Sequence, residues 1–164
     1  MLLIGPMGAG KSTVGRLLAA RLAFPFVDLD EAIVVRAGKT IPAIFAEEGE
    51  IAFRRLESQL LAEQVGSQAV VATGGGAVLT EGNRLLLKAH PPVIWLDAPP
   101  EVLALRIAGD LNRPLLNGVD PLQKARELDA IRRPLYAECA SLHLRTDQLK
   151  THAAVAAILR FLSE

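Results

Sequence analysis

Short apolar runs rich in branched residues alternate along this chain with longer stretches in which leucine, isoleucine or valine returns every three or four positions. The first pattern belongs to strands buried on both faces, the second to helices with one apolar stripe. The runs predict strands at residues 2–4, 26–28, 69–72, 93–97 and 142–144. The clearest helical periodicities cover 11–22, 51–64, 100–107, 121–136 and 151–162, and helices are expected in the remaining gaps. Such alternation predicts an α/β domain whose parallel sheet is covered on both sides. Residues 108–120, AGDLNRPLLNGVD, break the pattern: two glycines, two asparagines and a proline deny them a regular element, and they are expected to form a lid. With no repeat, low-complexity tract or long linker, a single domain over 1–164 is expected.

Composition narrows the class. The 164 residues are 51% hydrophobic, enough to fill one core, and 18 basic residues balance 18 acidic ones. That balance points away from nucleic acid and from strongly anionic partners. The single Cys139 cannot form an internal disulfide. Together with the lack of a secretory or membrane-spanning pattern, this favours a cytoplasmic protein without a membrane partner. A neutral domain of this size is expected to be a monomer. Met1 lies only four residues before Gly5, so the opening apolar run reads as a short buried first strand and not as a signal peptide.

Directly after that run comes Gly5-Pro6-Met7-Gly8-Ala9-Gly10-Lys11-Ser12-Thr13. The spacing G-x-x-x-x-G-K-S, placed between a strand and a helix, is a phosphate-binding loop. Glycines let successive backbone N–H groups turn toward an anion, Lys11 reaches the β- and γ-phosphates, and Ser12 offers a hydroxyl to Mg²⁺. A simple glycine turn would need neither the lysine nor the hydroxyl.

Other chemistry gathers where strands are expected to end. Asp28 and Asp30, two apart at the end of the second strand, can face one crevice. One could organise the water shell of Mg²⁺ and the other accept a hydrogen bond from an attacking hydroxyl, or one could simply cap a helix beginning near Glu31. On the following helix Phe53, Leu56 and Leu60 form the apolar stripe, leaving Arg54 and Glu57 on another face. Those two make either an ordinary ion pair or a held arginine for an anionic substrate group. Gly74, Gly75 and Gly76 follow the third strand and either expose peptide groups to a ligand or form a flexible strand-to-helix connection. Arg113 sits in the expected lid, where it could neutralise charge on a transferring phosphoryl group, and Arg132 lies late in a helix; either alone could equally be a solvated surface charge.

Taken together, GPMGAGKST, the D-x-D of DLD, GEIAFRRLE, TGGGAV, RPLL and RRPLY resemble the shikimate kinase family over nearly the whole chain. The resemblance implies a P-loop NTPase fold like that of nucleoside-monophosphate kinases, with a five-stranded parallel sheet in order 2-3-1-4-5, a substrate-binding region near 29–60 and a lid. It implies transfer of the ATP γ-phosphate to the 3-hydroxyl of shikimate, a step toward chorismate and the aromatic amino acids. Gly8, Ala9, Gly10, Lys11, Ser12 and Thr13 would then hold ATP, with Arg106 against the adenine and Arg113 over the phosphates. Ser12 and Asp28 would serve Mg²⁺. Asp30, Arg54, Glu57, Gly75, Gly76 and Arg132 would form the shikimate site, the two arginines binding its carboxylate. Lys11, Asp30 and Arg113 would act in catalysis. Gluconate and nucleoside-monophosphate kinases share the phosphate loop without this combination; a ligand-sensing domain of the same shape would need neither D-x-D nor Arg113.

Overall fold

The computed structural model describes residues 1–108, 118 and 120–164. Five parallel strands form one sheet in the order β2-β3-β1-β4-β5, as expected: β1 Leu2–Ile4, β2 Phe26–Asp28, β3 Val70–Ala72, β4 Val93–Asp97 and β5 Leu142–Arg145. Seven helices accompany them among the described residues: α1 Lys11–Leu22, α2 Leu29–Ala37, α3 Ile41–Gln64, α4 Glu81–Ala89, α5 Pro100–Ile107, α6 Pro121–Cys139 and α7 Thr151–Leu162.

Successive strand side chains point to opposite faces, and the sequence supplies apolar groups to both. Leu2, Ile4, Val71, Val93 and Trp95 meet α2, α3, α4 and α6 through Ile33, Phe53, Leu87 and Tyr136. Leu3, Val70, Ile94 and Leu96 meet α1, α5 and α7 through Leu18, Leu103 and Ile158. Every residue of β1, β3 and β4 is buried, which is why these strands read as unbroken apolar runs.

The helix expected at 51–64 begins ten residues earlier, at Ile41, with a kink at Gly49, whose φ of 84° and ψ of 172° interrupt the helical path. Thr40 starts this helix by accepting a bond from the Ala43 N–H at 3.3 Å. The kink leaves the second segment, with Arg54 and Glu57, free to take its own direction against the glycine run after β3. Because the strands are parallel, their carboxyl ends share one edge of the sheet, where the loops after β1, β2, β3 and β5 meet.

Candidate active site

At the end of β1 the chain enters the phosphate loop with Gly5, Gly8 and Gly10 at φ of 139°, 78° and 92°. A side chain on Gly5 would collide with the Leu96 carbonyl, and one on Gly8 would come within 2.9 Å of Ile107. Gly10 has open space beside it, so its requirement is conformational alone. It is also the N-cap of α1 and supplies no side-chain acceptor, which leaves the first-turn amides to an incoming anion. The Lys11 ammonium bridges the loop, donating to the carbonyls of Gly5 at 2.7 Å and Pro6 at 2.9 Å.

Asp28 takes the capping role that the sequence allowed and also meets the phosphate loop. One oxygen accepts the Ser12 hydroxyl at 2.6 Å, while the other accepts the Asp30 N–H at 3.0 Å and caps α2. The carboxylate therefore fixes the start of α2 and the hydroxyl of the phosphate loop together. Asp30, two residues further, lines the same opening.

That opening is a cleft of about 840 Å³. Its walls include Gly8, Ala9, Gly10, Lys11, Ser12 and Thr13 from the loop, then Asp28, Asp30, Gly75 and Arg106, which unites ten candidates chosen from the sequence. Arg106 reaches from α5 to the Gly8 carbonyl at 3.0 Å and to the Thr146 hydroxyl at 3.2 Å. Thr146, Leu149, Lys150 and Thr151, after β5, line the cleft as well and had no assigned role. Their signal was positional: they follow a strand's carboxyl end.

Beside the Gly75 wall lies a second cluster. The Arg54 guanidinium presses on the Cα of Gly76 so closely that any side chain there would overlap it. Arg132 lies against Gly75, where an added Cβ would be 3.3 Å from its Nη1. Glu57 lies against Gly74, with 2.5 Å between its Oε2 and an added Cβ, and Asp30 is 3.1 Å from the same point. The glycine run thus does more than expose peptides: each glycine makes room for a different charged side chain.

Glu57 is wholly buried although it lies off the apolar stripe of its helix. The side-chain-free surface of Gly74 admits it. It accepts from Arg54 at 2.9 Å, while Glu50 holds the other end of that guanidinium at 3.3 Å. Burial pushes the Glu57 carboxyl above its usual range, Arg54 opposes this, and the nearby Asp30 charge adds to the rise. Among the described residues, Glu57 Oε2 and Arg132 Nε are buried without a hydrogen-bond partner. Arg113 lies outside the described residues.

Residues 7–163 match the family model "Shikimate kinase". A shikimate kinase of Symbiobacterium thermophilum is 48% identical, over 100% of this chain and 96% of that one. The chain belongs to the shikimate kinase family. A second member, from Pseudomonas syringae pv. tomato, is also 48% identical, again over 100% of this chain and 96% of its own length. A solved shikimate kinase from Acinetobacter baumannii, in complex with shikimate, superimposes with a TM-score of 0.94 at 44% identity, covering 98% of this chain and 90% of that one. No helix among the described residues is long and apolar enough to cross a membrane.

Proposed function

We infer that the chain transfers the γ-phosphoryl group of ATP to the 3-hydroxyl of shikimate, yielding shikimate 3-phosphate and ADP. The observation that carries this reading is the placing of Arg54 and Arg132 against the adjacent glycines Gly76 and Gly75, the latter lining the same cleft as the phosphate loop. A carboxylate entering between those guanidiniums gains charge-assisted bonds, whereas a neutral analogue would displace their water without supplying that counter-charge.

In this reading the loop amides and Lys11 hold the phosphates, and Arg106 borders the nucleotide. Arg54 and Arg132 grip the shikimate carboxylate, Glu57 keeps Arg54 in place, and Gly75 and Gly76 present the wall on which the ring rests. Asp30 accepts the proton of the 3-hydroxyl as that oxygen bonds to the γ-phosphorus. The bond from phosphorus to the β–γ bridging oxygen breaks, and ADP departs with that electron pair. Ser12 and Asp28 present a hydroxyl and a carboxylate 2.6 Å apart, a hard-oxygen pair that suits Mg²⁺ held partly through its own waters. Bound there, Mg²⁺ supplies charge neutralisation for the phosphates. Arg113 is proposed, from its place in the sequence, to add positive charge to the transferring group.

The test is ADP release with Mg²⁺ and ATP, using shikimate, quinate, gluconate, a nucleoside monophosphate or no acceptor. Rapid release with shikimate alone, with a phosphorylated product, is expected; turnover of another acceptor in its place would overturn the assignment. Arg132→Ala should raise KM for shikimate by about 10²-fold or more, the scale of a lost charge-assisted contact, and leave KM for ATP within about threefold. An effect confined to ATP would move Arg132 out of the acid site.

A further inference from the structure

Three consecutive glycines are the most conformationally free stretch that a chain can place in a binding site. Here Gly74, Gly75 and Gly76 nevertheless have to hold one shape, because Glu57, Asp30, Arg132 and Arg54 all pack on them. Their carbonyls show how the shape is kept. The Gly74 carbonyl accepts from the Ala77 N–H at 3.1 Å and that of Gly76 from the Leu79 N–H at 3.0 Å, both parts of the local turn. The middle carbonyl, of Gly75, is held differently: it accepts the Tyr136 hydroxyl at 2.6 Å.

Tyr136 is 1% exposed and its ring packs 5.7 Å from that of Trp95, so the hydroxyl is delivered by a side chain with no freedom to wander. It lies four residues after Arg132 on α6, and residues so spaced share a helix face. Helix α6 therefore grips Gly75 at two points one turn apart, the guanidinium against its Cα and the phenol on its carbonyl. Since the peptide is planar, fixing that carbonyl also fixes the direction of the Gly76 N–H. Burial holds the phenol above its usual range, so it remains a donor at working pH.

We propose that Tyr136 is a positioning residue for the acceptor: its hydroxyl sets the Gly75–Gly76 peptide against Arg132 and so sets the shape of the wall that receives the acid. This rests on the assignment of that wall to shikimate. Tyr136→Phe removes the hydroxyl and keeps the ring against Trp95. The expected result is a rise of ~5–30-fold in both KM and Kd for shikimate, the scale of one buried hydrogen bond to a binding wall, with KM for ATP within about twofold.

The chain has a single tyrosine, so 3-fluorotyrosine incorporation places one ¹⁹F reporter at this position without altering any other site. Its resonance should shift on adding shikimate and stay nearly still on adding ATP alone. The role is overturned by an unchanged shikimate Kd in Tyr136→Phe, by losses shared equally between shikimate and ATP, or by a ¹⁹F signal indifferent to shikimate. Should the wild type bind shikimate without turning it over, the kinase reading fails while the binding and ¹⁹F comparisons still decide the role of Tyr136. A wild type that does not bind shikimate overturns both.

Discussion

A carboxylate with no exposure has to be accounted for, and Glu57 is held there by the Arg54 guanidinium three residues earlier on the same helix and by the bare surface of Gly74. Burial raises its carboxyl above the ordinary 4.5, so between that value and its native one the folded state binds more protons than the unfolded state. By linkage, stability contributed by this group then falls as pH rises through the interval, and the cost is constant above it. Glu57→Gln removes the titration and keeps an acceptor for Arg54. Urea denaturation of both proteins at pH 5 and pH 8 should show the glutamine variant gaining stability relative to wild type at the higher pH. A stability difference that is the same at both pH values would mean that Arg54 compensates the burial fully. Shikimate KM should rise several-fold in the same variant, because the amide holds Arg54 with less charge.

At the scale of elements, the kink in α3 decides where Arg54 and Glu57 point. Gly49 occupies a φ/ψ region essentially reserved for glycine, yet nothing lies within 4 Å of the place where a Cβ would stand. Gly49→Ala therefore tests backbone strain without a steric clash. It should cost about 1–3 kcal/mol in denaturant unfolding and raise shikimate KM more than ATP KM, since the second segment of α3 carries Arg54 and Glu57. Unchanged stability would mean that the kink relaxes freely. Most elements were legible in the sequence. The strand runs and the periodicities of α1, α5 and α7 matched the structure because each is bounded by clear turn residues and buried on a predictable side. Helix α2 was less so: Ile33, Val34 and Val35 give it a β-branched centre, and its start depends on the Asp28 cap, which is settled in three dimensions. The first segment of α3 was hidden by Gly49, which reads as a helix end, as it locally is. In the site, the phosphate loop was legible because its function lies in local backbone geometry. The burial of Glu57 and the grip of Tyr136 on Gly75 were not, since both depend on glycines far away in sequence making room for them.

Across the whole molecule, Asp97 at the end of β4 adds a polar link among elements that also pack on one another. Its buried carboxylate receives both ends of the Arg133 guanidinium at 3.0 Å and His143 Nε2 at 3.0 Å, linking β4 to α6 and β5. Its carbonyl accepts the Thr146 N–H at 2.7 Å and hydroxyl at 3.1 Å, and Thr146 in turn meets Arg106, which holds the Gly8 carbonyl. One residue thus ties the phosphate loop, through Thr146, to the helix that carries Arg132 and Tyr136. Arg133 also pairs with Asp129 and lies 5.3 Å over the Trp95 ring, and these carboxylates keep its guanidinium protonated more firmly than usual. Breaking a fully buried pair by removing one partner costs about 3–5 kcal/mol, mostly because the remaining charge is stranded. The Arg133 side chain is 38% exposed and His143 stays in place, so Arg133→Met should cost less, about 2–3 kcal/mol. Because the stranded charge is the cause, adding Asp97→Asn should return part of that loss. A urea double-mutant cycle decides the matter: a double variant more stable than Arg133→Met alone supports the charge as the source, whereas strictly additive losses would show that Arg133 acts only through its packing on Trp95.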